Sequence, residues 1–207
     1  FDDLVNRSWS EHSCGGGCCW QARGIDGNTE DMAHCYKNAI TNELFISLGA
    51  QLSATYKGRG EPSSSAWAHG WAQKGLRWFV ASGMINSSSL INDGLDTFPS
   101  HPGICLNNRR TAYTYNQGVI LSALGYLYAT AAGGGPLFYS TARTTMDGPP
   151  TSSHAASLPS SSSSSSSSVE TRGSTQEASA ALDQLADSPH ALLQLAARII
   201  NAVWAPN

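Results

Sequence analysis

Three cysteines and three consecutive glycines stand together in Ser13 to Gln21, SCGGGCCWQ, with Trp20 directly behind them. A phosphate cradle would need Lys-Ser or Lys-Thr after the glycines, and neither follows. A dinucleotide fingerprint would need G-x-G-x-x-G spacing after a strand, which also fails. A zinc site draws on paired cysteine knuckles. Cys14, Cys18 and Cys19, with His12, His34 and Cys35, supply the ligand types, but there is no second knuckle and the adjacent Cys18–Cys19 pair has poor geometry for one. No metal site is therefore predicted. Disulfides beside a glycine turn are the preferred reading, because glycine permits positive φ and close backbone approach. Five cysteines leave at least one unpaired, and spacing alone does not give the partners.

A second set of residues suits a ligand rich in hydroxyls. In YKNAITNELF, Asn38 and Asn42 are i and i+4 and share one helical face, flanked by Lys37 and Glu43. Asn116 and Gln117 open another helix behind Tyr113 and Tyr115. Capping would account for Asn116, but not for Asn38 and Asn42 together. INDGLD places Asp93 and Asp96 beside Asn92; an Asp-Gly turn explains Asp93 and leaves Asp96 over. Both carboxylates can accept from hydroxyls. Trp9, Trp20, Trp67, Trp71 and Trp78 crowd the first 80 residues, and only Trp204 lies beyond. Pyranose rings stack on such faces, although most tryptophans of helices belong to the core.

The elements that must position these groups read as helices. Tyr36 to Tyr56 places Ile40, Leu44, Phe45, Leu48 and Leu52 on one face. Ser65 to Ser82 does so with Trp67, Trp71, Trp78 and Phe79, and Gly83 stops it. Tyr115 to Ala132 and Pro189 to Val203 continue the series. The long connection from Met84 to Thr111 is of a length that carries function, with one short hairpin expected near Met84 to Leu95. From Gly133 the composition turns to Gly, Pro and Ser, including nine serines at Ser160 to Ser168, and such a segment buries almost nothing. The expected organisation is an all-α domain over 1–132, a disordered insertion over 133–175 and a helical segment over 176–207 that rejoins the domain.

The 207 residues carry a formal charge of −3, and charged residues are 13%, against about 25% in an average soluble domain. No basic stripe invites nucleic acid, and no apolar run approaches the roughly 20 residues of a membrane span. The chain lacks an initiator Met and opens within a helical pattern, so a mature or truncated piece is expected.

CGGG with its following WQ, YKNAITNELF, ASGMIN, NDGLD and YTYNQGVIL, in this order and at these gaps, resemble glycoside hydrolase family 76. The match runs from Phe1 to about Ala132, and LLQLAARIINAV at Leu192 to Val203 is similar to the family's next helix. The resemblance implies an incomplete (α/α)6 toroid, a cleft at helix ends, no cofactor, and endo-α-1,6-mannanase or transglycosidase activity on mannose-containing glycans. It implies sugar contacts from Trp20, Asn38, Asn42, Asp93, Asp96, Tyr115, Asn116 and Gln117, and a bridge between Cys14 and Cys105. It also implies a retaining pair of adjacent aspartates, whose carboxyls must lie about 5–5.5 Å apart. Asp2-Asp3 is the only adjacent pair here, yet Phe1-Asp2-Asp3 matches a later family segment just before CGGG, so the pair is expected upstream of Phe1 with Asp2 and Asp3 as fallback.

Arg109 and Arg110 stand where the family has two glycines, which predicts a different loop if those glycines need positive φ. An incomplete toroid would leave apolar helix faces exposed. A secreted or wall-associated location follows, with N-x-S sequons at Asn6 and Asn86 in keeping. Two alternatives remain: a glycan-binding relative that kept the cleft and lost the acids, and a small cysteine-dependent metal protein.

Overall fold

The computed structural model describes residues 1–21, 35–98, 101–132 and 184–204. The elements run α1 (Asp2–Ser8), β1 (Lys37–Asn38), α2 (Ala39–Gly58), α3 (Pro62–Ala81), β2 (Gly94–Phe98), β3 (His101–Asn107), α4 (Thr114–Ala131) and α5 (Pro189–Trp204). The expected insertion, 133–175, lies outside the described residues.

Local chemistry sets the helix ends. Asn38 caps α2, its side chain accepting from Thr41 N–H at 3.4 Å. Pro62 opens α3, where its missing N–H and fixed φ are no loss, and Gly83 with φ +81° follows its end. The apolar positions then decide the packing. Ile46 and Ala50 of α2, Leu76 and Phe79 of α3, Ile120, Leu124 and Leu127 of α4, and Leu192, Leu195 and Ile199 of α5 form one buried cluster. α2 packs against both α3 and α4, and α5 closes on α4. A second cluster gathers Trp9 of the N-terminal segment with Phe45, Trp71 and Trp78. Trp9 meets Trp71 and Trp78 edge to face at centroid distances of 5.5 and 6.2 Å, a favoured aromatic geometry.

The all-α expectation needs correction. The fold is mostly helical, but it carries a small antiparallel sheet of order β1-β2-β3. Lys37 pairs with Leu95, and Leu95 in turn with Asn107. The region expected to hold the hairpin, Met84 to Leu95, contains an isolated Ile85–Ile91 bridge and the first two residues of β2; the hairpin strands span 94–107. Pairing is non-local here: β2 is held by a two-residue strand almost sixty positions earlier, and periodicity within a window does not detect such a partner.

The sheet and the segment before it set the direction of two helices. Ala39 N–H at the start of α2 donates to Asp93 O at 2.8 Å, and Gln117 near the start of α4 bonds the backbone of Ile91. α2 and α4 therefore run parallel from one end of the molecule. No described helix is long and apolar enough to cross a membrane.

Candidate functional site

The glycine stretch is a turn laid against an indole. Cys14, Gly15, Gly16 and Gly17 all have positive φ, at 56°, 63°, 147° and 85°. A Cβ on Gly16 would come 2.7 Å from Trp78 Cδ1, and one on Gly17 would enter the same ring, so both positions exclude other residues. Trp78 Nε1–H donates to Cys14 O at 2.9 Å. From the other side, the fully buried Lys37 ammonium donates to Ser10 O at 3.0 Å and Gly17 O at 2.5 Å. Burial pushes Lys37 down to about 8, which leaves it largely charged at neutral pH. Asn42 accepts from Cys18 N–H at 2.7 Å and donates to Cys18 O at 3.1 Å and Asn38 O at 2.8 Å.

Disulfides join Cys14 to Cys105, with Cα atoms 5.3 Å apart, and Cys19 to Cys35. Cys18 is the free thiol; burial pushes it up to about 12, so it is no nucleophile at neutral pH. Among the described residues no three His, Cys, Asp or Glu side chains group to hold a metal.

A different, open arrangement lies at the shared start of α2 and α4. Trp20 N–H donates to Tyr36 O at 2.8 Å, and the Trp20 side chain stands 59% exposed. Tyr36 O–H donates to Asp93 Oδ2 at 2.5 Å and accepts from Asn108 Nδ2 at 3.0 Å. Burial, then the hydrogen bond to Asp93 and that carboxylate's charge, push the Tyr36 phenol well above its ordinary value, so it stays a donor. Asp96 is exposed, 3.8 Å from Arg110. Tyr113 and Tyr115 stack with centroids 5.0 Å apart at 10°, both exposed. Aromatic, carboxylate and amide groups thus stand near the starts of α2 and α4, Tyr36 just before α2 and Tyr113 and Tyr115 at the start of α4.

The residues expected at the site thus divide. Trp20, Asp93, Asp96 and Tyr115 lie at this open end. Asn38 serves as the α2 cap and Asn42 as a clamp on Cys18. Gln117 bonds Ile91 N and O at 3.0 and 2.9 Å and Tyr113 O at 3.1 Å. Asn116 is buried and its amide has no hydrogen-bond partner among the described residues, as is true of the Glu43 carboxyl. Burial pushes Glu43 up to about 9, so it is a neutral acid at pH 7. Asp2 and Asp3 are exposed on α1, and Asp3 pairs with Arg7 at 3.4 Å. Successive helical residues point about 100° apart, which does not aim both carboxyls at one bond.

The sequence does not single out Tyr36 or Asn108 as site residues, nor does it show the anchoring role of Lys37. A lysine before a helix cap reads as solvated, and only the turn brought across it by distant residues supplies its acceptors. Arg109 itself takes the left-handed conformation, φ +53°, with its N–H bonded to Asn107 Oδ1 at 2.7 Å.

The Glycosyl hydrolase family 76 model matches residues 1–149, and the chain belongs to that family. It is 28% identical over 130 residues to mannan endo-1,6-alpha-mannosidase DCW1 of Saccharomyces cerevisiae, covering 62% of this chain and 25% of that protein. It is 27% identical over 137 residues to mannan endo-1,6-alpha-mannosidase DFG5 of the same yeast, covering 65% and 26%. DCW1 of Candida albicans is 26% identical over 128 residues, covering 61% and 25%. The chain thus spans about a quarter of the length of these relatives. No solved structure matches it.

Proposed function

We propose that this chain is part of the catalytic domain of a glycosidase acting on α-1,6-mannosidic bonds, by retaining hydrolysis or transglycosylation, and that it supplies one wall of the mannan cleft. The observation that carries this reading is the open rim of Trp20, Tyr36, Asp93 and Tyr115 at the start of two parallel helices, in a chain of this family. The complete domain is an (α/α)6 toroid of which α2 to α5 are a sector, with 133–175 inserted before the last helix rejoins. Uncovered apolar faces fit a sector: Leu44 and Leu48 on α2, and Leu193, Ile200 and Trp204 on α5, are exposed. The catalytic aspartates come from another segment of the longer protein, since Asp2 and Asp3 are exposed and aimed apart. The partner is a mannose-containing polysaccharide, met in a secreted or wall-associated setting in which the two disulfides persist.

The test uses this chain with α-1,6-mannotriose and α-1,6-mannan. Binding of the trisaccharide is expected, with cellotriose as a non-binding control, and no cleavage of mannan. Turnover that disappears in Asp2→Asn or Asp3→Asn would overturn the assignment of the catalytic pair. A full-length protein that binds mannan without ever cleaving it would favour the reading as a glycan-binding relative, for which the substitution of family glycines by Arg109 and Arg110 speaks.

A further inference from the structure

Glu43 and Asn116 share a peculiarity found in neither the turn nor the rim. Both residues are 0% exposed, and their side-chain oxygens and the Asn116 nitrogen have no hydrogen-bond partner among the described residues. Glu43 is the fifth residue of α2 and Asn116 the third of α4, two helices that pack together and start at the same end. Each buried group left unpartnered costs about 1–3 kcal/mol. Packing does not demand that cost, because an aliphatic side chain of similar volume would fill either position. Costs of this kind are concentrated at sites where function requires the group.

The surroundings connect the pair to the rim. The ionisation of Tyr115 on α4 is disfavoured first by lost solvation, then by the charges of Asp93, Tyr113 and Glu43, which places Glu43 and Asp93 within electrostatic reach of one phenol. Tyr115 is 46% exposed and stacks on Tyr113, itself 40% exposed, so neither ring is part of the buried core.

We propose that Glu43 and Asn116, both buried without a partner among the described residues, bind adjacent hydroxyls of a sugar unit entering between the starts of α2 and α4. The inference rests on the mannan-cleft reading above. A neutral carboxyl donates through O–H and accepts through C=O, and an amide donates through NH2 and accepts through its oxygen. Two neighbouring hydroxyls offer the same two capacities each, so all four groups are satisfied at once. A carboxylate, which only accepts, would leave one hydroxyl arrangement unmatched. Such a pair also sets specificity, because a ligand lacking one hydroxyl leaves a buried polar group unpaired.

The experiment measures α-1,6-mannotriose binding and urea stability of the whole chain and three variants. Glu43→Leu and Asn116→Leu are each expected to weaken binding about tenfold or more, while stability stays equal or rises. Glu43→Gln, which keeps one donor and one acceptor, is expected to bind within about threefold of wild type. Unchanged affinity in either leucine variant overturns the inference, as does a loss in Glu43→Gln as large as in Glu43→Leu. Lost stability in both leucine variants assigns the pair a structural role and overturns it too. If the wild-type chain does not bind the trisaccharide, the mannan-cleft reading falls and this inference with it; wild-type binding that both leucine variants retain removes the inference alone.

Discussion

The two ends of the Lys37 to Glu43 stretch treat buried polar groups in opposite ways. At one end the buried Lys37 has its acceptors in the backbone of Ser10 and of Gly17 in the glycine turn. At the other, one residue beyond Asn42, the Glu43 carboxyl has none among the described residues. A satisfied buried group fixes architecture, since its partners are held in one arrangement. An unsatisfied one weakens the fold and is retained for what it can contact later. The difference separates groups that fix the turn from a group that has no partner among the described residues, where the residue types alone do not.

The largest effect expected from probing this contrast is at the satisfied end. Lys37→Met keeps the volume but leaves Ser10 O and Gly17 O without their donor, and should cost about 3 kcal/mol in urea unfolding. A loss below about 0.5 kcal/mol would mean that the turn is held by Trp78 and the disulfides without Lys37.

The next effect has the opposite sign. Glu43 is shifted from its ordinary 4.5 up to about 9 by burial. Because the folded value lies above the unfolded one, the stability from this group is complete below about pH 4.5. It is lost as pH climbs towards about 9, by at most about 1.4 kcal/mol per unit. Glu43→Gln should therefore be more stable than wild type at pH 7, by about 1–3 kcal/mol, and its melting temperature should vary less between pH 5 and 8. A wild type and variant with parallel pH profiles would show that the carboxyl is already partnered.

The smallest effect is expected in the arginine loop. Arg109→Gly removes the left-handed penalty of about 1–2 kcal/mol and adds chain entropy to the unfolded state, for a net gain of under about 1 kcal/mol. A net loss would show that the Arg109 side chain makes a contact worth more than the strain.

Much of the framework is legible in the amino-acid sequence. Apolar spacing places α2, α3, α4 and α5 within a few residues of their observed ends. The face expected to be buried on α2 needs correction: Leu44 and Leu48 are exposed, and Ile46 and Ala50 are buried with Phe45 instead. Neighbouring helices, not the densest apolar spacing in the sequence, decide which face is covered. The small sheet is not legible there, since β1 contributes two residues whose partners lie far along the chain. The site is readable in part. Of the residues expected at a sugar site, Asp93 accepts from Tyr36 and Tyr115 is exposed, whereas Asn42 and Gln117 bond to backbone. Amide type and helical spacing are the same for a ligand contact and for a clamp, so the sequence does not divide them.

The order of residues alone sets the helices, the glycine turn and the family, because these depend on near neighbours and on ordered motifs. Which buried polar groups are satisfied was decided by tertiary packing. That depends on backbone carbonyls brought across from distant segments: Gly17 reaches Lys37, while no such group reaches Glu43 among the described residues.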